Sequence, residues 1–301
     1  MDYKKLIRSR TLRIKILSFL NWIPDRIMIQ LQYWIHTGRR LNIKNPQRFT
    51  EKLQLYKLKY RDPLMLRCTD KYEVRSVIKE FGFADILIPL IGVYDSAEAI
   101  DFHKLPSKFV AKTTDGGGGN QVFICRDKSR VDTEAFYSKI KGWLRAPKSK
   151  SLGREWAYEN RYPRRIIIEE LISDSNNKEI PDYKFFCFNG KVRMIYAIGN
   201  RTLGQRAEIG IYSSDFKKQD VRRNDELPAI KELPKPENFD KMIEIAERIS
   251  MAFPHVRVDL YNVEGNIFFG ELTFYDGSGY MSFTPDSFDY ELGNLWVNET
   301  E

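Results

Sequence analysis

The chain has 301 residues, 42% hydrophobic and 13% aromatic, with 49 Lys and Arg against 41 Asp and Glu. That is enough apolar material for a sizeable core and excludes a mainly disordered state; no apolar run approaches the roughly 20 residues of a transmembrane helix. The three cysteines and three histidines are scattered, which gives neither a disulfide framework nor zinc-ligand spacing and points to a reducing compartment.

The first segment is a basic arm. Residues 1–44 hold ten basic and two acidic residues, while the other 257 carry 39 of each sign. Ile14 to Ile23 is interrupted by Lys15, Ser18 and Asn21 and stopped by Pro24. It lacks a small-residue cleavage site, so no signal peptide is expected. With Trp22, Tyr33 and Trp34 among its leucines and isoleucines, the arm has two readings. It is an interfacial segment for anionic lipid, or one or two helices packed on the body with a basic face to water. Nucleic acid is not an expected partner, because the rest of the chain has no basic surplus to follow a phosphate backbone.

Helices are predicted over residues 50–60 and 69–82. The second starts at a Thr69-Asp70 cap, carries Val74, Val77, Ile78 and Phe81 on one stripe, and stops at Gly82. Strands at 108–113 and 121–125 flank Asp115-Gly116-Gly117-Gly118-Gly119-Asn120. A helix over 132–144 precedes a polar loop from Ala146 to Arg154. The β-branched run Arg165 to Ile172 is a buried strand. Residues 181–188 and 191–198 form a hairpin around Asn189-Gly190. Residues 213–237, polar and with three prolines, read as an exposed connection. A helix over 238–252 has Met242, Ile245, Ala246 and Ile249 on one side. Residues 255–261 and 267–275 form a second hairpin. Helices mixed with antiparallel pairs place the chain in the α+β class.

Four features carry chemistry. Lys112 leads into the glycine loop, whose N–H groups can converge on one anion. It is not a Walker A loop, since no Gly-Lys-Ser/Thr follows and a strand comes next; a flexible hairpin tip is the competing explanation. In the second hairpin, alternation puts Arg257, Asp259 and Tyr261 on one face, and Glu271 with Thr273 on one face. A turn centred on Gly265 sets Asp259 opposite Glu271 and Arg257 opposite Thr273. Paired β-carbons lie ~4.5–5.5 Å apart and like charges there repel. A shared Mg²⁺ would reconcile them; neutralisation by Arg257 would do so without a metal, and a one-residue slip would separate the acids. Asp182 and Lys184 share a face with Phe186 and Phe188, in a cleft or as a surface ion pair. Finally, the strand ending in Glu169, Glu170 and Leu171 offers a slot for a purine, or is an ordinary strand end.

Taken in order, these features resemble the ATP-grasp superfamily, and more narrowly the TupA-like ATP-grasp proteins of bacterial surface-polysaccharide gene clusters. The matching stretches are NPQRFTEKLQLYKL (45–58), TDKYEVR (69–75), LPSKFVAK with the glycine loop (105–120), RIIIEELI (165–172), DYKFFCFNGKV (182–192), VRVDLY (256–261) and FGELTFYDGSG (269–279).

The resemblance implies two α+β subdomains that clasp ATP: a helical region over 45–105 behind the arm, then a core over 106–301, split into a glycine-loop part (about 106–168) and an Mg²⁺-binding part (about 169–301). It implies that Lys71 and Lys112 hold the ATP phosphates and that Asp115 to Asn120, including Gly116 to Gly119, fold over them. Glu169, Glu170 and Leu171 would receive adenine. Lys184 would meet the terminal phosphate, and Arg257 would stabilise the transferring phosphoryl group. Asp259 and Glu271 would bind Mg²⁺. Two residues depart from the pattern. Thr273 stands where the superfamily usually has an Asn ligand, and Asp115 where a His is more usual.

The implied activity is ATP-dependent amide formation through an acyl phosphate. It would join an amine, such as an amino acid, to a carboxylate-bearing sugar or glycan, in the cytoplasm or at the inner membrane face through residues 1–44. A glycosyltransferase would need a nucleotide-sugar site, usually with Asp-x-Asp, and the chain has no such triplet. A sugar kinase and a non-catalytic ATP-binding adaptor also compete with the ligase reading.

Overall fold

The computed structural model describes residues 16–17, 19–117, 119, 121–146, 153–159, 162–174, 180–199 and 206–297. After a turn at Leu20–Trp22 comes helix α1 (Asp25–Thr37), ended by Gly38 in the left-handed conformation. In α2 (Phe49–Lys59), Glu51 reaches back to accept from the amides of Gln47 and Arg48 at 3.0 and 3.2 Å, satisfying donors at the helix start. Helix α3 (Pro63–Thr69), not expected from the sequence, has its own start signal. The Asp62 carboxylate accepts from the Leu64 amide at 2.8 Å, with Pro63 in the first turn.

The helix expected over 69–82 is shorter, α4 (Glu73–Glu80). Asp70 accepts from the amides of Tyr72 and Glu73 at 2.9 and 3.0 Å, so the cap is used but the helix begins beyond it. Val74, Val77 and Ile78 are buried on its inner stripe. Lys71 therefore sits in a turn, its amide bonded to the Thr114 carbonyl at 2.9 Å. This ties it to the strand that leads into the glycine loop.

Strands β1 (Leu90–Tyr94), β2 (Phe109–Thr113), β3 (Val122–Cys125) and β4 (Ile166–Glu170) form an antiparallel sheet in the order β1-β4-β2-β3. Helix α5 (Thr133–Arg145) covers it, with Phe136 and Ile140 buried against Phe109 and Ile168 in a core of its own. The edge strand β1 was not expected. It lies before residue 106, and β4 runs across 168/169, so both bounds drawn from the resemblance cut through this sheet.

The second sheet uses β5 (Asp182–Phe188), β6 (Lys191–Ile198) and β7 (Glu208–Tyr212), then, past a short β8 (Arg222–Arg223), β9 (Leu227–Pro228). It is completed by β10 (His255–Val263) and β11 (Asn266–Thr273), in the order β11-β10-β5-β6-β7-β9. β12 (Phe283–Thr284) pairs with β8. The connection over 213–237 is mostly exposed, as expected, but it is also stitched to the sheet edge. β9 runs parallel to β7, a pairing between distant segments that no local pattern announces. The expected hairpin around Asn189-Gly190 is present, with both turn residues at positive φ, as a tight hairpin turn demands.

Helix α6 (Phe239–Ser250) packs Phe239 on Phe185 from one side of this sheet. From the other, Phe49 of α2 and Trp296, just after α7 (Ser287–Leu295), meet Phe186 and Phe188. Covered on both faces, β5 is buried along its whole length. The α2–α7 contact is close: a Cβ on Gly293 would lie 2.0 Å from the Gln47 carbonyl oxygen and 2.9 Å from the Phe49 nitrogen. Gly293→Ala must push backbone apart and is expected to cost about 3 kcal/mol or more. Gly142→Ala in α5, where an added Cβ meets nothing within 4 Å, is expected to be neutral or to stabilise by up to ~1 kcal/mol. Urea unfolding of the two variants checks the contrast.

Candidate active site

Three neighbouring strands put one row of charge across the large sheet. β5, β10 and β11 pair so that Lys184 faces Asp259, which faces Glu271; in the next row Phe186 faces Arg257, which faces Thr273. The sequence anticipates this register, but the structure reaches it by another route. The turn is the two-residue Glu264-Gly265, both at positive φ, flanked by the pair Val263 and Asn266. Uninterrupted pairing from there would bring Asp259 opposite Gly270 and send the acids to opposite faces. A bulge at Gly270 adds one residue to β11, so Leu260 faces Phe269 while Asp259 faces Glu271. A Cβ on Gly270 would lie 3.0 Å from the Asp259 carbonyl oxygen, so glycine lets the strands close up at the bulge.

The row is dense in charge and mostly buried. Arg257 donates from Nε and Nη2 to the two oxygens of Asp259, both at 2.7 Å, and from Nη2 to Glu271 Oε1 at 3.2 Å. Lys184 Nζ bonds Asp259 Oδ2 and lies 2.7 Å from Asp182 Oδ2. Burial pushes the Asp259 carboxyl above its ordinary range, against the opposite pull of Arg257 and Lys184. Thr273 donates its hydroxyl to Glu271 Oε1 at 3.3 Å.

Behind the row stands a residue that sequence reasoning missed as a functional position. Asp276 accepts from Arg257 Nη1 and, at 2.6 Å, from Arg223 Nη1. Burial alone would raise its carboxyl, but the two guanidinium groups hold it below the usual carboxylate range. Its signal was present in the Asp-Gly-Ser-Gly run after β11; the partner Arg223 lies 53 positions away, and no spacing rule links the two.

The small sheet forms the facing wall. Lys112 Nζ lies 2.7 Å from Glu169 Oε2, and Arg75 Nη1 lies 2.7 Å from Glu169 Oε1. The Glu169 side chain is therefore held between two cations. Glu170 keeps an exposed side chain, and its amide donates to the Pro89 carbonyl at 3.1 Å. Lys71 Nζ donates to the Gly116 carbonyl, and burial lowers its pKa from the ordinary value. The unexpected Asp115 is neutralised: both its oxygens accept from Arg164 Nε at 2.8 Å. Gly118 and Asn120 lie outside the described residues.

The two walls enclose a cleft of about 300 Å³. Lys71, Lys112 and Lys184 line it together with Gly116, Gly117 and Gly119, and Asp259 and Glu271 line the same space. Ile88, Val110, Val122, Ile124, Leu171 and Ile180 supply an apolar slot, and Glu169 and Glu170 also border the cleft. Arg257, Thr273 and Asp115 are not lining residues; their contacts hold residues of the row or the loop from behind. Arg126 and Gln121, which sequence reasoning did not single out, do line it.

A cationic end, an acidic pair and an apolar slot suit a polyphosphate joined to a flat ring. No group of three or more His, Cys, Asp or Glu that could hold a metal occurs among the described residues. Two facing carboxylates fit a Mg²⁺ ion that arrives with phosphate oxygens, since Mg²⁺ is commonly held by one or two carboxylates plus substrate phosphates.

The sequence matches the family described as TupA-like ATPgrasp over residues 51–297. No curated protein matches it. Among solved structures it is similar to the ATP-grasp ligase PsnB complexed with minimal precursor, with 14% identity over 71% of this chain and 55% of that chain and a TM-score of 0.40. It is similar to D-alanine–D-alanine ligase from Bacillus anthracis complexed with ATP, at 16% identity, 69% and 53% coverage and a TM-score of 0.40. For D-alanine–D-alanine ligase from Helicobacter pylori the values are 13%, 77%, 61% and 0.43. The chain thus spans little more than half the length of the first two.

Proposed function

The chain belongs to the TupA-like ATP-grasp family, and on that premise we propose that it is an ATP-dependent carboxylate–amine ligase acting on a carboxylate-bearing sugar or glycan, with an amino acid or similar amine as the second substrate. One observation carries the reading: the row Lys184–Asp259–Glu271 and the glycine loop line one cleft together with Lys71 and Lys112.

In this reading the triphosphate lies between Lys71, Lys112 and the loop amides, with adenine in the apolar slot beside Glu169, Glu170 and Leu171. Asp259 and Glu271 would hold Mg²⁺, which would neutralise charge on the phosphates when bound. A substrate carboxylate oxygen attacks the γ-phosphorus and ADP leaves, giving an acyl phosphate. The amine nitrogen then attacks the acyl carbon, phosphate leaves, and the nitrogen loses a proton to give the amide. Lys184, at the cleft, stabilises the negative charge that moves between these groups, and Arg257 supports it from behind through Asp259 and Glu271. No side-chain nucleophile is required; positioning and fixed charge carry the catalysis. That the carboxylate belongs to a sugar, such as a uronic acid, is what the resemblance to proteins of surface-polysaccharide gene clusters implies. The arm is read as a contact with anionic membrane at the cytoplasmic face; no helix among the described residues is long and apolar enough to cross a membrane.

The test is ADP release from ATP and Mg²⁺ against a panel of uronic-acid sugar nucleotides and amino acids. The expected result is release only when a carboxylate and an amine are both present. Release with a sugar hydroxyl alone would mark a kinase. Thermal stabilisation by UDP-sugars but not by MgATP would mark a glycosyltransferase.

A further inference from the structure

Helix α1 is apolar on two opposite faces, and among the described residues the fold covers only one. Met28, Ile29, Gln32 and Tyr33 turn inward. There Tyr33 Oη and Thr50 Oγ1 share a hydrogen bond at 3.0 Å, and Tyr280 donates to Gln32 Oε1 at 2.7 Å. Ile27, Leu31 and Trp34 follow the i, i+4, i+7 spacing of a second stripe on the far side. They are 58%, 42% and 55% exposed. Just upstream, Phe19 and Trp22 are 79% and 76% exposed. Isolated exposed apolar side chains are ordinary; five within residues 19–34, two of them tryptophans, are a local concentration that calls for a partner.

The surrounding charge selects that partner. Arg26, Arg40 and Lys44 are exposed on the same segment. Residues 1–44 carry ten basic and two acidic residues, the entire basic surplus of the chain. A second copy would set this surplus against itself, and protein interfaces are depleted in lysine at their centres. Large aromatics and aliphatics flanked by Arg and Lys are the composition that settles at the headgroup boundary of an anionic bilayer. We infer that the face formed by Phe19, Trp22, Ile27, Leu31 and Trp34 docks on an anionic membrane surface, its indole rings at the boundary and its basic residues among the headgroups.

The arm is held tightly enough for docking to orient the whole molecule. Arg154 donates to the carbonyls of Leu20 and Asn21 at 2.8 and 3.3 Å and to Asp25 Oδ1 at 3.0 Å. The neighbouring Gly153 carbonyl accepts from the buried Lys57 at 3.0 Å, and Lys57 also reaches the Ser278 carbonyl at 2.6 Å. The arm is thereby joined to the turn over 276–280, which holds Asp276 against Arg257. Arg154, the last residue of the polar loop expected from Ala146, is thus an anchor for the arm; residues 147–152 of that loop lie outside the described residues. This inference does not depend on the ligase reading, since binding is measured without turnover.

The experiment is cosedimentation of the full chain with vesicles of phosphatidylcholine alone and with three parts in ten phosphatidylserine. Each basic residue near such a surface contributes about fivefold to binding, so binding to the anionic vesicles is expected to be tighter by about 30-fold or more. It should be accompanied by a blue shift in tryptophan fluorescence. The variant Trp22→Ser/Leu31→Ser/Trp34→Ser, which changes exposed positions only, should keep its melting temperature and lose at least about tenfold in binding. Equal binding by this variant would mean that charge alone suffices and would overturn docking through this face. Equal binding to neutral and anionic vesicles would overturn the anionic surface. Parent dimerisation in sedimentation velocity that the triple variant abolishes, without vesicle binding, would assign the face to a second copy instead.

Discussion

Glu271→Gln is expected to lower MgATP-dependent turnover by about 10²–10³-fold while leaving the fold intact. The change keeps shape and removes one of two facing charges, and loss of a single fixed electrostatic contact at a charge-transfer site costs about that much. The Glu271 side chain is half exposed and touches Arg257 at 3.2 Å, so little stability depends on it. Asp259→Asn should lose at least as much turnover for a second reason. Asp259 is buried and takes two bonds from Arg257 and one from Lys184. Removing its charge leaves two buried cations short of a partner, a change that commonly costs about 3–5 kcal/mol. The two variants should therefore differ in stability and agree in inactivity. Turnover in Glu271→Gln within a few-fold of the parent would show that the facing acids are a salt-bridge cluster with Arg257 and not a metal site. Titrating Mg²⁺ separates the effects further, since a lost ligand should raise the Mg²⁺ concentration needed for half-maximal ADP release.

Asp276→Asn is expected to destabilise the protein by about 3 kcal/mol, because it removes the carboxylate shared by two buried arginines. The same group sets an acid limit on stability. Its folded pKa lies below the ordinary value of 3.8. The stabilisation is then fully present above that value and is lost as pH falls through the lower folded pKa. Chemical unfolding between pH 5 and the acid limit should show a fall in stability that is steeper in the parent than in Asp276→Asn. Identical slopes would mean that Asp276 contributes no linked protonation. Because Asp276 also holds Arg257 from behind, the variant should lose turnover without any change in a residue that lines the cleft.

These two predictions depend on different parts of what could be read in advance. The acidic pair was legible because strand alternation and a tight turn constrain register locally. Even so, the residue that sets the register is the Gly270 bulge. Without it the actual turn would have separated the pair, and a count from an assumed turn centre reached the right pairing by a different path. The glycine loop and its leading lysine were legible as a run. Asp276 was visible as a residue but not as a partner, since Arg223 comes from a two-residue strand inside what reads as a polar connection. Asp115 is answered the same way, by Arg164, 49 positions on in the chain.

The sequence by itself determined the α+β class, most of the longer elements, the location of charge in the arm, and the family to which the chain belongs. All of these are local: period, caps, turn residues and motif order are written within a few neighbours of each position. Tertiary structure alone decided which strands share a sheet, where the helix after Asp70 begins, and which arginine answers each buried acid. It also decided which face of α1 the body leaves bare. Those outcomes depend on contacts between segments far apart in the chain, where packing and the neutralisation of buried charge select among pairings that local patterns leave equivalent.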